Sequence, residues 1–169
     1  MNILVTGGFG FIGSHLCNYL TDKGCSVYNI DSKTYACDYV KISDVKVKKH
    51  FNVDIRDKFK IDDFISLGRF DALIHLAAES HVDNSINNPG LFTNTNVLGT
   101  INMLNLANRL CIPRYIQVST DEVYGALHDD EEPWTEKSPI NPNSPYSASK
   151  ASGDLIAMAY YRTYGMDTR

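Results

Sequence analysis

Short apolar runs alternate along this 169-residue chain with longer stretches whose apolar residues recur at helical spacing. Apolar runs of this length are typical of strands buried in a parallel sheet, and the stretches between them are long enough for crossover helices. The pattern predicts strands at residues 3–6, 26–30, 49–53, 72–77 and 114–119. It predicts helices at residues 11–23, 61–66, 89–110 and 145–164, with loops at 31–44 and 126–143.

The last predicted helix has signals at both of its ends. The Ser144 side chain can accept a hydrogen bond from the first turn, and Pro145 suits the first helical position. Gly165 then stands where a helix commonly ends in a left-handed residue.

Strands that alternate with helices indicate an α/β fold, a doubly wound parallel sheet of the Rossmann type, because right-handed crossovers cover both faces of the sheet. The length corresponds to one domain. The hydrophobic fraction of 43% and the charged fraction of 21% are ordinary for a globular protein.

Charge and cysteine content argue against several kinds of partner. The net charge of -4 gives no basic surplus for a nucleic-acid backbone. No apolar run approaches the roughly 20 residues of a membrane helix, and the first residues do not resemble a signal peptide. Cys17, Cys25, Cys37 and Cys111 form no Cys-x-x-Cys pair, so we expect no metal site, reduced thiols and a cytoplasmic location.

A glycine-rich loop follows the first strand directly and leads into a helix. Its sequence, Thr-Gly-Gly-Phe-Gly-Phe-Ile-Gly at residues 6–13, contains Gly-x-x-Gly-x-x-Gly and Gly-x-Gly-x-x-Gly. Such glycines allow a tight turn and the close approach of a pyrophosphate to the helix N-terminus. Asp31 ends the second strand, where a carboxylate can accept both ribose hydroxyls of NAD and repel the 2′-phosphate of NADP. Asp54, after the third strand, is either an adenine contact or a turn residue.

Two further groups of residues carry acid–base chemistry. Tyr146 and Lys150 are four residues apart on one helix face, and a neighbouring ammonium, with a positive nicotinamide ring, favours a phenolate that can act as a base. Thr120, Asp121 and Glu122 follow the fifth strand, at the sheet edge where ligands bind.

Four stretches together resemble the extended branch of the short-chain dehydrogenase/reductase superfamily. They are the glycine loop, the run His-Leu-Ala-Ala-Glu-Ser-His-Val-Asp at residues 75–83, and residues 119–125 and 146–150. Within it, the chain is similar over essentially all its length to the nucleoside-diphosphate-glucose 4,6-dehydratases. The Thr-Asp-Glu run before Val-Tyr-Gly separates these from the similar sugar 4-epimerases, which lack the acid pair.

The resemblance implies NAD as the cofactor and a nucleoside-diphosphate sugar as the substrate, with dTDP-glucose favoured. Tyr146 would deprotonate the C4 hydroxyl while Lys150 lowers its pKa, and Thr120 would hydrogen-bond the C4 oxygen. Hydride would pass from C4 to NAD and later return to C6. Glu122 would remove the C5 proton and Asp121 would protonate the departing C6 hydroxyl, which requires a neutral Asp121 and an ionised Glu122.

The same resemblance implies a set of binding residues. The substrate would contact Ser80, His81 and Thr120. From its sequence context alone, Asn96 lies inside a long helix, which Asn does not favour, so a structural role is plausible for it as well. The cofactor would contact Gly7, Gly10, Phe11, Ile12, Gly13, Asp31, Asp54, Ile55, Leu76, Ala77, Ala78, Ser80, Asn96, Tyr146 and Lys150.

Members of this family continue well beyond the point at which this chain stops, into further strands and a smaller substrate domain. We therefore expect residues 1–169 to be a partial NAD-binding Rossmann domain, ending where a sixth strand should begin near Asp167. Alone, it should bind cofactor at best, with little or no turnover. The resemblance also implies a homodimer through the helices at 89–110 and 145–164.

Two alternatives stay open at this stage. One is a related enzyme, either a UDP-glucose 4,6-dehydratase or a 4-epimerase. The other is a non-catalytic NAD-binding module, which has no need of Thr120, Asp121, Glu122, Tyr146 and Lys150 together.

Overall fold

A parallel sheet forms the centre of the computed structural model, which describes residues 1–37, 42–62, 68–127 and 132–169. All neighbouring strands within these residues pair in parallel. The chain adds strands outward from β1 on both sides, so the predicted doubly wound fold is confirmed. Across the sheet the strands are β3 (Lys49–Phe51), β2 (Ser26–Ile30), β1 (Asn2–Thr6), β4 (Ala72–His75), β5 (Arg114–Gln117) and β6 (Asp167–Thr168).

The helices cover the sheet and connect its strands. A π-helical segment, Thr93–Gly99, separates α4 from α5, and short 3-10 turns lie at Ile42–Asp44 and Asp121–Tyr124. None of the helices in the described ranges combines the length and hydropathy of a membrane-spanning segment. The helices are α1 (Phe11–Asp22), α2 (Lys58–Asp62), α3 (Val82–Asn87), α4 (Pro89–Phe92), α5 (Thr100–Arg109) and α6 (Pro145–Tyr164).

The five predicted strands are present, and β6 begins at the predicted place. Strands β3, β4 and β5 each end two residues before the predicted boundary. The reason is that the next residues, Val53, Leu76 and Val118 among them, leave the sheet to line a cavity.

The helix predictions need three corrections. Residues 89–110 form α4, the π-helical segment and α5 in succession rather than one uniform α-helix. Helix α3 was not predicted, since its sequence is rich in Asn, Asp and Ser, and it packs against α4 and α6. Helix α2 begins at Lys58, earlier than predicted, and residues 63–66 of that prediction lie outside the described residues, as do residues 128–131 of the predicted loop.

Both ends of α6 form as the sequence predicts. The Ser144 hydroxyl accepts from the Ser147 amide at 3.0 Å, and the Ser147 hydroxyl accepts from the Ser144 amide at 3.0 Å. This reciprocal pair satisfies two amide groups at the start of the helix. Gly165 ends it in the left-handed conformation, with φ of 67°.

Alternate residues of β1 enter two separate apolar layers. Ile3 and Val5 pack with Cys17 of α1, whereas Leu4 packs in the larger layer that includes Leu73 and Met103. Because successive strand side chains point to opposite faces, this continuous apolar run is buried on both sides.

A directed chain of hydrogen bonds crosses the larger layer. The Thr6 hydroxyl accepts from the amides of Leu76 and Ala77 at 3.2 and 3.1 Å, so it donates to Nδ1 of His75 at 2.7 Å. The Thr100 hydroxyl donates to the Asn96 carbonyl at 2.7 Å, so it accepts from Nε2 of His75 at 3.1 Å. The network therefore assigns a neutral His75 with its proton on Nε2.

The burial of His75 predicts a pH-dependent stability. Burial, with a smaller contribution from the charge of Lys150, lowers the pKa of His75 to about 3. Since the unfolded chain binds this proton near pH 6.5, protonation favours the unfolded state, and stability falls as the pH drops below that value. We expect a loss of up to about 1.4 kcal/mol per pH unit between pH 6 and 5.

Urea unfolding of the chain at pH 5, 6 and 7 measures this loss. His75→Gln should reduce the pH slope, and the control His15→Gln, at an exposed position, should keep it. Equal slopes in all three proteins would show that His75 is protonated in the folded state.

Candidate active site

A cavity of about 480 Å³ opens where strands β1 to β5 end. This is the edge at which doubly wound sheets bind ligands, and it lies between the strands that diverge from β1. The predicted residues that line the cavity are Gly7, Gly10, Phe11, Ile12, Gly13, Asp31, Asp54, Ile55, Leu76, Ala77, Ala78, Ser80 and His81. The predicted residues outside its lining are Asn96, Thr120, Asp121, Glu122, Tyr146 and Lys150.

The glycines of the loop differ in what requires them. Gly7 has φ of +72°, and a Cβ there would lie 2.8 Å from the Ala77 nitrogen. A Cβ on Gly13 would overlap the Gly7 carbonyl oxygen. Gly10 has φ of -75° and meets only that same oxygen, at 3.3 Å. The fold thus requires Gly7 and Gly13, whereas Gly10 keeps space open in the cavity at the N-terminus of α1.

Asp31 is held in place by the backbone on both sides of the cavity entrance. One carboxylate oxygen accepts from the Phe9 amide at 2.9 Å, and the other accepts from the Lys33 amide at 2.7 Å. Each oxygen retains a second lone pair. Asp31 can therefore accept further hydrogen bonds from a ligand in the cavity, as predicted for ribose hydroxyls.

Asp54 is engaged mainly by its neighbour Arg56. The guanidinium approaches its carboxylate at 2.6 Å, and the Arg56 amide adds a bond of 2.8 Å. Burial alone raises the pKa of Asp54, but the hydrogen bonds and charge of Arg56 outweigh it and lower that pKa. The turn residue that the sequence allowed is therefore present, while a contact of Asp54 with adenine stays a prediction.

The side-chain amide of Asn96 is engaged by the protein. Its oxygen accepts from the Glu79 amide at 2.8 Å, and its nitrogen donates to the Glu79 carbonyl and to the Ser149 hydroxyl, both at 2.9 Å. Both amide protons are thus used. These bonds support the structural role that the sequence also allowed, while a contact of Asn96 with the cofactor stays a prediction.

Thr95, the neighbour of Asn96, was missed by the sequence analysis. It lines the cavity, its side chain is buried, and its hydroxyl has no hydrogen-bond partner among the described residues. A buried hydroxyl without a partner at a cavity wall fits a polar ligand. Thr95 belongs to no sequence motif, so only the fold, which places this residue of the π-helical segment at the cavity wall, identifies it.

The loop after β2 closes one side of the cavity. The Tyr35 hydroxyl donates to the Glu79 carboxylate at 2.9 Å, and its ring lies 5.8 Å from that of His81. Since Asn96 fixes the backbone of Glu79, the loop is attached to a rigid position.

Tyr146 and Lys150 lie buried on α6, 9% and 6% exposed. The Lys150 ammonium donates to the Val118 carbonyl at 2.5 Å, and Val118 lines the cavity. The Ser149 hydroxyl donates to the Tyr146 carbonyl at 2.7 Å, which connects this turn to Asn96. Both side chains are therefore fixed beside the cavity edge.

Burial and nearby carboxylates act on the Tyr146 phenol. Burial raises the pKa of Tyr146, the Thr120 hydroxyl lowers it, and the negative charges of Glu122, Asp121 and Asp154 raise it further. Burial also lowers the pKa of Lys150. The lowering of the Tyr146 pKa that is expected from Lys150 with a bound nicotinamide ring stays a prediction.

The acid pair begins a short 3-10 turn. The Thr120 hydroxyl accepts from the Glu122 amide at 3.3 Å and caps this turn. Asp121 is exposed and Glu122 is half-buried. This turn packs against α6, and the charges of Asp121 and Glu122 act on the Tyr146 phenol, so the two predicted groups come together.

The chain is similar to sugar-nucleotide dehydratases in sequence. Residues 4–169 match the family described as GDP-mannose 4,6 dehydratase. A dTDP-glucose 4,6-dehydratase of Streptomyces antibioticus is 43% identical over 100% of this chain and 51% of the relative. A probable dTDP-glucose 4,6-dehydratase of Sinorhizobium fredii is 44% identical over 98% of this chain and 51% of the relative. The chain spans about half the length of these curated relatives.

Solved structures give the same picture of the fold. A dTDP-glucose 4,6-dehydratase of Streptomyces venezuelae, with NAD bound, has a TM-score of 0.91 and 45% identity, covering 100% of this chain and 54% of that chain. The UDP-glucose 4-epimerase of Thermus thermophilus, in complex with NAD, has a TM-score of 0.89 and 31% identity, covering 99% and 53%.

The geometry of the glycine loop predicts that one alanine substitution weakens NAD binding and that another destabilises the fold. Gly10→Ala should leave folding intact but weaken NAD binding at least about tenfold, roughly 1.4 kcal/mol, because its methyl group enters the cavity. Gly13→Ala should destabilise the chain by about 1–3 kcal/mol, because the methyl group overlaps the Gly7 carbonyl. Isothermal calorimetry with NAD and thermal unfolding measure the two effects. Unchanged NAD affinity in Gly10→Ala would place the pyrophosphate elsewhere.

Proposed function

The chain belongs to the GDP-mannose 4,6-dehydratase family, and we propose that it forms the NAD-binding part of a nucleoside-diphosphate-glucose 4,6-dehydratase, with dTDP-glucose as the favoured substrate. The observation that carries the proposal is the packing of the Thr-Asp-Glu turn against α6, where the charges of Asp121 and Glu122 act on Tyr146. Lys150, on the same helix face, donates to the carbonyl of Val118 at the cavity wall. A reaction that oxidises C4 and then eliminates water between C5 and C6 needs both groups within reach of one sugar.

The cavity residues fit NAD as the cofactor. Gly10 leaves room for the pyrophosphate at the N-terminus of α1, and Asp31 offers a carboxylate to the ribose hydroxyls. The Thr95 hydroxyl supplies a buried polar atom that needs a partner. When bound, NAD would supply the hydride acceptor for C4 and, once reduced, the hydride donor for C6, and its positive ring would favour a nearby phenolate.

The first half of the reaction uses residues of α6 and the capped turn. Tyr146 takes the proton of the C4 hydroxyl as general base. Lys150 holds a positive charge on the same helix face, fixed by the Val118 carbonyl. Thr120 orients the phenol and the C4 oxygen through its hydroxyl.

The second half uses the acid pair. The C4 ketone acidifies the C5 proton, which Glu122 removes, and Asp121 protonates the departing C6 hydroxyl. Water is lost between C5 and C6, so no net oxidation results. The proposal assigns the proton to Asp121, which is exposed, and the negative charge to Glu122, which is half-buried.

The alternative enzyme is a 4-epimerase, because UDP-glucose 4-epimerases have the same fold. The higher identity to the dTDP-glucose dehydratase structure, 45% against 31%, favours the dehydratase. The choice between thymidine and uridine nucleotides depends on residues beyond this half of the relatives' length.

We further propose a homodimer in the cytoplasm. Exposed apolar side chains on α6, Leu155 at 51% and Met158 at 44%, and Leu98 at 51% on the π-helical segment support pairing through these helices. None of the four cysteines, all within the described residues, forms a disulfide, which is typical of a reducing compartment.

Glu122→Gln should separate the two halves of the reaction. The amide keeps the shape of the side chain but cannot remove the C5 proton, so C4 oxidation should proceed while elimination stops. A stopped-flow experiment with dTDP-glucose should show NADH absorbance that accumulates without the 4-keto-6-deoxy product. Normal turnover by this variant would remove Glu122 from the role of base.

The substrate and the extent of the active chain can be tested together. We would incubate residues 1–169, and a version extended through its natural reading frame, with NAD and either dTDP-glucose or UDP-glucose. The product is followed by its absorbance in strong base. We expect turnover only from the extended version, with dTDP-glucose preferred.

Other outcomes would contradict parts of the proposal. Normal turnover by residues 1–169 would show that no further domain is needed. If neither version turns over although both bind NAD, the dehydratase proposal fails, and the epimerase or a non-catalytic NAD-binding module replaces it.

A further inference from the structure

Helix α6 carries a third titratable residue in register with the Tyr–Lys pair. Tyr146, Lys150 and Asp154 recur at intervals of four residues and therefore share one face of the helix. The proposed reaction gives roles to the first two. Asp154 has no role in it, although its carboxylate is largely removed from solvent.

The contacts of Asp154 connect α6 to the segment after β5. The Ser119 hydroxyl donates to one oxygen of the Asp154 carboxylate. One residue earlier, the Val118 carbonyl accepts from the Lys150 ammonium at 2.5 Å. Lys150 and Asp154, on successive turns of α6, thus bind Val118 and Ser119, the two residues directly before Thr120.

The second oxygen of Asp154 is buried and has no hydrogen-bond partner among the described residues. A buried carboxylate oxygen without a partner is costly unless a positive charge is near. Lys150 supplies that charge. The two groups are not in direct contact in the described structure, yet their charges act on each other. Burial lowers the pKa of Lys150 and raises that of Asp154, and the charge of each group opposes the shift of the other.

The other groups around Lys150 and Asp154 come from β4, from α6 and from the 3-10 turn. His75, from β4, is neutral and buried on the same side as Lys150. Tyr146 lies at the other end of the row, facing the carboxylates of Asp121 and Glu122 from the 3-10 turn. Asp154 is the only carboxylate whose charge acts on Lys150 among the described residues with a resolved effect.

We propose that Asp154 is a positioning residue for the dehydratase reaction, which holds the Thr120–Glu122 turn against α6 through Ser119 and acts as the counter-ion of the buried Lys150 ammonium. This inference rests on the proposed function for its catalytic meaning. Its two components, the hydrogen bond and the charge, can be removed separately.

Asp154→Asn removes the charge but keeps an oxygen that accepts from Ser119. Ser119→Ala removes the hydrogen bond but keeps the charge. In the protein extended through its natural reading frame, we would measure the pH dependence of C4 oxidation in single turnovers with dTDP-glucose. Asp22→Asn, an exposed carboxylate far from α6, is the matched control and should behave as the unmodified protein does.

The two variants should give different results. Asp154→Asn should move the acidic limb of the pH profile to lower pH by at least about half a unit, since the lost negative charge disfavoured the phenolate. Ser119→Ala should leave the profile in place and lower the rate roughly tenfold, because the Thr120 turn shifts. A purely structural role of Asp154 would lower rates without moving the profile, and this result would overturn the counter-ion proposal.

A measurement on the unmodified protein keeps the test independent of turnover and of variant folding. The Nζ resonance of Lys150, assigned by comparison with Lys150→Arg, should shift a second time in the pH range where the Asp154 carboxyl titrates. If Lys150 does not respond to Asp154, the counter-ion proposal is wrong while the proposed function stands. If Lys150 responds but the enzyme does not turn over, the proposed function fails and the pairing remains.

Discussion

The side-chain amide of Asn96 holds together the two halves of the site. Its three hydrogen bonds fix the backbone of Glu79, after β4, and the Ser149 hydroxyl of α6. The carbonyl of the same residue ends the chain of hydrogen bonds that starts at Thr6 and passes through the neutral His75. The cavity wall and the Tyr–Lys helix therefore depend on one residue, which is buried and uses both amide protons and one lone pair of its amide oxygen in hydrogen bonds.

The order of the strands and most helix ends could be predicted because each rests on a local pattern. Runs such as Ile3–Val5 need only burial on two faces, and α6 needs only Ser144, Pro145 and Gly165 at its ends. The π-helical segment was not predicted, since no local pattern in Thr93–Gly99 distinguishes it from the helix on either side. Helix α3 likewise forms from residues of low helical preference because α4 and α6 cover it.

The part of the site that lies directly after the strand ends could be predicted from the sequence. The glycine loop, Asp31 and the residues after β4 line the cavity as expected. The sequence could not separate the roles of Asn96 and Thr95. The two residues are neighbours in one helical segment and both are buried, yet only Thr95 lines the cavity. Asp154 was overlooked for a different reason: its partner Ser119 is 35 residues away in sequence, so only the fold brings them together.

The charges near Tyr146 determine when its phenol can act as a base in the proposed reaction. Burial and the charges of three carboxylates raise the pKa of the Tyr146 phenol. A base formed here would gain from an additional positive charge, which an oxidised nicotinamide ring would carry and a reduced ring would lack. In the proposed reaction, proton removal from the sugar would therefore be favoured while the cofactor is oxidised. With a reduced cofactor the same carboxylates would favour the neutral phenol, so Tyr146 would not compete with Glu122 as the base for elimination.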